Sequence, residues 1–275
     1  MNTGKTMRNR YILLAFGWLF LSLFSSCYER EEGCTDFNAV NFNASADDHC
    51  CCNYPEFSFQ LQHRFGPDDE RFFTDSVYTL DNGLEVNILF LELLGSNFFL
   101  EKENGERQMV ENTLEFPSVD GISCPCIDDL FIIDPNSFNT SPGEISRPGN
   151  YIGLGFSFGT LEAWQVLTPD DFEDIYPLSE EERYDAEAMD FFSLRAVVAF
   201  PNATSEPIEI SIPSWRSSIF FEETLHLQTA ENFSAILRIN YKTWLGGLNA
   251  GNVSEETLVD VLTTNLEDAL DLIVQ

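Results

Sequence analysis

Positive charge is what this chain of 275 residues has least of: 14 Lys and Arg stand against 46 Asp and Glu, a formal net charge of −32. Such a surface repels a polyanionic phosphate backbone and anionic lipid headgroups, which argues against nucleic acid as a partner. Histidine is scarcer still, with three residues. His49, His63 and His226 have no spacing such as His-x-x-x-His among them. Past Phe24 no segment approaches the roughly 20 apolar residues that a membrane-spanning helix needs. No internal repeat is visible. What the chain does have is apolar and aromatic content, 44% hydrophobic with 25 Phe, enough for a folded, Phe-rich core.

The N-terminus has the layout of an export signal. Lys5, Arg8 and Arg10 form a basic start, Tyr11 to Phe24 is apolar, and Leu23-Phe24-Ser25-Ser26-Cys27 closes the segment. That ending resembles the lipobox of bacterial lipoproteins, with Phe24 at a position usually held by Leu. The resemblance implies a signal peptide over 1–26, lipid on Cys27 and a protein held to the membrane by lipid. Its place would be the cell envelope, on the outer membrane, either periplasmic or surface-exposed. An ordinary secretory signal on a soluble protein is the other reading. Removing 26 of the 275 residues leaves 249, in which 11 basic residues face all 46 acidic ones, a net charge of −35.

Six cysteines remain after Cys27: Cys34, Cys50, Cys51, Cys52, Cys124 and Cys126. An even number in an exported chain points to disulfides, and six cysteines allow 15 pairings. Cys50-Cys51-Cys52 and Cys124-Pro125-Cys126 could instead form a thiolate metal site, but they lack the two to four intervening residues of zinc ligand pairs. Residues 27–54 read as a tether and a small module. The acidic run 28–33 resembles the surface-export signal of Bacteroidota lipoproteins, or is a solvated linker. Residues 33–50, from Gly33-Cys34-Thr35-Asp36 to Asp47-Asp48-His49-Cys50, resemble a cysteine-bracketed module of secreted Bacteroidota proteins. That resemblance implies a Cys34–Cys50 disulfide. Asp36, Asn38, Asn41, Asn43, Asp47 and Asp48 are hard oxygen donors of the kind calcium takes. They do not follow EF-hand spacing, and the same residues also stabilise turns without an ion.

Residues 55–275 read as one mainly β domain. Phe57, Phe59, Leu61 and His63 alternate with polar residues, as in a half-buried strand. Strands are expected at 77–80, 84–94, 97–101, 130–133, 151–158, 194–200, 208–212, 219–227 and 235–241. Asp81-Asn82-Gly83 is a hairpin turn, and 135–150 reads as a loop. Ser179-Glu180-Glu181-Glu182 has the form of a capping box opening a helix to about Phe191. Ser254 caps a final helix in which Leu258, Leu262, Leu266, Ala269 and Ile273 recur at helical spacing. The expected fold is an antiparallel β-sandwich with two peripheral helices, one of them C-terminal.

Gly155-Phe156-Ser157-Phe158-Gly159 fits the Gly-x-Ser-x-Gly pattern of serine hydrolases, whose nucleophile sits on a sharp strand-to-helix turn. Here Ser157 lies inside an alternating run, which places it in a strand. His226 sits in another strand, Leu225-His226-Leu227. Acidic pairs such as Asp170-Asp171 and Glu173-Asp174 read as solvated surface.

The order of segments resembles the MbnP-like domain, a family named for a methanobactin-associated periplasmic copper-binding protein. The likeness rests on Phe57 to His63, Ser96-Asn97-Phe98-Phe99-Leu100 with Gly105, Pro148-Gly149-Asn150-Tyr151 to Gly159, Met189 to Phe192, and Ile239 to Leu248. It implies a non-enzymatic β-sandwich and makes His63 a candidate copper ligand. The family's Trp-rich Met segment has Phe191 and Phe192 here, and its later His-bearing strand has no histidine between Phe200 and Leu225. Taken together, the expectation is a lipid-anchored envelope protein that binds a metal ion, a small ligand or a surface or periplasmic partner. A copper-binding protein and a Ser157 hydrolase are the two alternatives.

Overall fold

The computed structural model describes residues 29–66, 70–116, 124–161, 164 and 166–274. The expected signal segment 1–26 and Cys27 lie outside the described residues. The domain is built on ten principal strands: β1 (Glu56–Phe65), β2 (Glu85–Glu101), β3 (Phe131–Ile133), β4 (Asn139–Glu144), β5 (Gly153–Phe158), β6 (Asp190–Ala199), β7 (Ile208–Pro213), β8 (Ser217–Phe221), β9 (Phe233–Asn240) and β10 (Leu270–Val274). Three short helices lie near the C-terminus: α1 (Tyr241–Trp244), α2 (Glu255–Thr264) and α3 (Leu266–Ala269). The fold is mainly β, with mostly antiparallel sheets arranged as a sandwich.

The larger sheet has β2 at its centre, with β6, β3 and β5 paired to it, β7 beyond β6 and β8 beyond β5. The smaller runs β4-β1-β9-β10. Its β1–β9 pairing is parallel, whereas its other pairings are antiparallel. The two segments expected at 84–94 and 97–101 form one strand. Its first half pairs β6 and its second half pairs β5, and Asn97 sits past the changeover with φ 55°, a conformation Asn tolerates.

Alternation along β1 turns Phe57, Phe59, Leu61, His63 and Phe65 inward. Phe57 and Phe59 meet Phe98 of β2 with ring centroids 4.8 and 5.9 Å apart, and Phe59 meets Phe156 of β5 at 5.7 Å. These rings join the two sheets, and aromatic burial of this kind carries most of a core's apolar area. A second, smaller core holds Leu94, Trp164, Leu167, Phe172, Leu178 and Phe191. Beside it Glu92 takes Arg183 bidentately, at 2.8 Å from Nε and 2.7 Å from Nη2.

The helix expected from Ser179 to Phe191 does not form. Two 3-10 turns, Pro177–Ser179 and Glu181–Arg183, lead into β6. Ser179 Oγ donates to the Asp174 and Tyr176 carbonyls and so does not cap the next turn. Arg183 is held by Glu92, and Leu178 and Phe191 are buried in the second core. Tertiary packing overrides the local signal here. The final helix is also shorter than expected. Ser254 Oγ accepts from Thr257 N–H as the cap of α2. Asn265 then interrupts the helix, donating to the Trp244 and Gly246 carbonyls. Ile273 belongs to β10, opposite Ile236 of β9. Within the expected loop 135–150, β4 pairs the edge of β1, a position that tolerates its Pro142.

Candidate functional site

Three places collect the chemistry-bearing residues. The first is the small module. Glu32–Gly33 pairs in parallel with Asp48–His49, and Cys51 takes φ 50°. That left-handed residue turns the chain so that Cys52 faces Cys34, with their Cα atoms 4.8 Å apart. The disulfide is therefore Cys34–Cys52 rather than Cys34–Cys50, and Cys50 is bonded to Cys51. His49 lies beside the first pair. Its Nε2 is 3.8 Å from Cys52 Sγ. Its Nδ1 is 2.8 Å from Thr35 Oγ1 and accepts from Thr35 N–H at 3.3 Å. The donor atoms of Cys34, His49 and Cys52 all lie within 4.8 Å of one another.

Of the six Asp and Asn residues considered for calcium, Asp36, Asn41, Asn43, Asp47 and Asp48 have side chains engaged within the module, and the buried Asn38 Oδ1 makes no hydrogen bond. Asp36 accepts from Asn38 N–H at 2.9 Å and from the Tyr54 hydroxyl at 3.1 Å. Asn41 accepts from Asn53 N–H and donates to the Cys51 carbonyl. Asn43 accepts from Ser45 and donates to Glu31. Asp47 accepts from Glu31 N–H, and Asp48 pairs with Arg30. These are turn and tie contacts of the Asx type. The three-donor group among the described residues contains none of these aspartates.

The second place is Ser157. It lies within β5, opposite Ser218 of β8 and Ser96 of β2. Its hydroxyl is 2.9 Å from Ser218 Oγ and 3.3 Å from Asn97 Nδ2. No strand-to-helix elbow exists there, and His226 pairs instead with Asn150 on a separate two-stranded ribbon. The glycines around it answer to packing. A Cβ on Gly155 would lie 2.4 Å from Phe99, and one on Gly153 would lie 2.4 Å from both Phe220 and the Phe221 carbonyl. Phenyl rings cover bare backbone, the device known as aromatic rescue of strand glycines. The hydrolase alternative is contradicted by this geometry.

The third place is the end of β1. His63 is 6% exposed. Its Nδ1 lies 2.8 Å from the Tyr241 hydroxyl and its Nε2 lies 3.2 Å from the Ser137 carbonyl. A carbonyl only accepts, so Nε2 carries the proton and Nδ1 accepts from Tyr241. Burial, the largest influence, holds the imidazole down to about 4, and the Ser137 bond opposes it. Burial first, then Asp134, pushes the Tyr241 hydroxyl well up. Both imidazole nitrogens are committed, and the three-donor group does not include His63. These residues do not fit a copper ion.

Beside His63 opens a cleft of about 240 Å³ lined by Leu61, Arg64, Arg71, Phe72, Pro135 and Phe138. The Arg71 guanidinium carbon sits 5.1 Å from the Phe73 ring centroid and 5.0 Å from that of Phe138. Those two rings are 48% and 62% exposed. Elsewhere Arg30, Lys102, Arg107, Arg147, Arg183, Arg195, Arg216, Arg238 and Lys242 each lie within ion-pair distance of a carboxylate. Among the described residues the contacts of the Arg71 guanidinium are two phenyl rings. This cleft was not anticipated from the sequence. The available signal was two arginines seven positions apart, Arg64 and the one in Arg71-Phe72-Phe73, in a chain so poor in positive charge.

The class these observations define is a mainly β, antiparallel sandwich without a hydrolase site at Ser157. No protein-family model matches the sequence, and a search of curated proteins returns no match. Among solved structures the chain is similar to MbnP from Methylosinus trichosporium, with 12% identity, 68% of this chain and 76% of that chain covered, and a TM-score of 0.43. The likeness is distant, and no residue role passes from it to this chain.

Proposed function

We propose that the chain is a lipid-anchored binding protein of the cell envelope, and that it takes a small carboxylate with an apolar body at the Arg71 cleft. The observation that carries the ligand reading is the Arg71 guanidinium carbon 5.1 and 5.0 Å from the Phe73 and Phe138 ring centroids. Rings at these distances hold a guanidinium by cation–π attraction, and its fork of donors suits a bidentate partner. Leu61, Phe72 and Pro135 supply apolar walls. The cleft lies below the roughly 300 Å³ of typical drug-sized sites, so the ligand is small. The anchoring rests on the basic start, the apolar run and Ser25-Ser26-Cys27.

Benzoate is the probe. Titrated by calorimetry or by NMR shifts, it should bind saturably in the millimolar range or tighter. Arg71→Gln should weaken it at least tenfold. Arg71→Lys should not restore it, because a point charge lacks the planar fork. Equal binding to the wild type and Arg71→Gln, or no saturable binding, overturns the assignment.

A further inference from the structure

We propose that Cys34, His49 and Cys52, once their disulfide is reduced, form a site for one thiophilic divalent cation of the Zn2+ class. The donor set is two thiolates and one imidazole, a combination typical of zinc. A tetrahedral ion with Zn–S near 2.3 Å and Zn–N near 2.0 Å sets sulfur and nitrogen about 3.6 Å apart and two sulfurs about 3.8 Å apart. His49 Nε2 already lies 3.8 Å from Cys52 Sγ. With Cα atoms 4.8 Å apart, the two sulfurs can separate to that span by side-chain rotation alone. The fourth position faces solvent, since His49 is exposed and Cys52 half-buried.

The ring is also held from behind. Thr35 Oγ1 lies 2.8 Å from Nδ1, and a hydroxyl can accept as well as donate. In the disulfide form Nδ1 accepts from Thr35 N–H, so the proton is on Nε2. Metal binding needs the other tautomer, with Nδ1–H donating to Thr35 Oγ1 and Nε2 free. The module also carries the carboxylates of Glu31, Asp36 and Asp47, a local charge that favours a cation.

An external dithiol supplies two electrons and two protons, becomes a disulfide itself, and leaves Cys34 and Cys52 as thiols. The cation then displaces one proton from each sulfur to solvent, while the imidazole stays neutral by moving its proton from Nε2 to Nδ1. The metal replaces the lost covalent tie across the module.

The test uses the mature chain, oxidised and dithiol-reduced, titrated with Zn2+ against a chromophoric chelator and with Co2+ as a spectroscopic reporter. The reduced protein should take one equivalent, with sulfur-to-cobalt charge-transfer absorption, and the oxidised protein none. His49→Gln keeps both cysteines and should bind at least tenfold more weakly. Thr35→Val should bind roughly tenfold more weakly, as loss of a ligand's supporting hydrogen bond does. Cys50→Ser with Cys51→Ser removes the neighbouring pair and should leave stoichiometry and absorption unchanged. Metal uptake that ignores reduction, that survives His49→Gln in full, or that vanishes with Cys50 and Cys51 overturns the site. So does a reduced chain that takes no metal.

Discussion

Replacing Gly155 by Ala tests whether the Gly-x-Ser-x-Gly run is a packing device. The new Cβ would stand 2.4 Å from Phe99 Cζ and 2.9 Å from the Ile219 carbonyl. The ring can retreat only by leaving Phe220, on which it stacks at 6.1 Å, and Arg107, whose guanidinium lies 3.9 Å from its centroid. The carbonyl belongs to the β5–β8 ladder, where Phe156 faces Ile219, and cannot move without loosening it. Overpacking of this kind costs about 1–3 kcal/mol. At about 2–4 °C per kcal/mol for a domain of this size, Tm should fall by about 2–12 °C. Circular dichroism melts would read it. Phe99→Leu should remove part of the clash, so the double variant should lose less than the two single losses together. A Gly155→Ala protein melting within 1 °C of wild type, or strict additivity with Phe99→Leu, would refute the packing account.

Four further outcomes are expected. Arg183→Met removes the bidentate partner of buried Glu92 and leaves it Arg195 at 3.9 Å, so urea denaturation should show a loss of up to about 3 kcal/mol, partly restored by adding Glu92→Gln; an unchanged midpoint would show that the pair contributes nothing. Burial holds His63 down to about 4 from 6.5. Between those values the unfolded chain binds a proton the folded chain refuses, so stability falls as pH drops, by about 3 kcal/mol in all. Burial pushes the Asp129 carboxyl up to about 6 from 3.8, against the Phe98 and Asn97 backbone bonds that lower it. Between those values the folded chain binds the extra proton, so this contribution rises as pH drops. His63→Gln should therefore tilt the pH 7 to 4 stability profile upward toward acid and Asp129→Asn downward; identical profiles contradict both assignments. Millimolar calcium should raise Tm no more than magnesium does, because Asp36, Asn41, Asn43 and Asp47 already accept hydrogen bonds and Asp48 pairs with Arg30; a calcium-specific rise would restore a calcium site. Cys27→Ser should abolish radiolabelled palmitate incorporation, and continued labelling would remove the lipid anchor.

Local signals survived where tertiary structure asked for the same thing. The two-residue period of Phe57, Phe59, Leu61 and His63 marked β1 and its buried face, His63 included. Asp81-Asn82-Gly83 marked its turn, with Gly83 at φ 84°. The capping box at Ser179 misled because Arg183, inside the expected helix, is claimed by Glu92 from a strand 91 positions away. The disulfide could not be chosen among 15 pairings, since the φ of Cys51 decides it. The Arg71 cleft needs Phe138, which comes from a connection preceding β4 and is brought to Arg71 only by the pairing of β4 with β1. Sequence distance hides such a site, although the scarcity of arginine makes each one worth asking about.

The parallel β1–β9 pairing bears on how the chain reaches its native state. Glu56 N–H bonds to Asn232 across 176 positions, so the smaller sheet closes only after nearly all of the chain is present. Contacts of such high sequence separation make folding slow. Until β9 arrives, β1 keeps Phe57, Phe59 and Leu61 on an incomplete sheet with an open edge, the kind of surface that recruits other chains. A chain still being synthesised would thus carry its most adhesive segment near the front and the strand that covers it near the back. Truncation before Phe233 should yield not a smaller folded domain but an aggregating one.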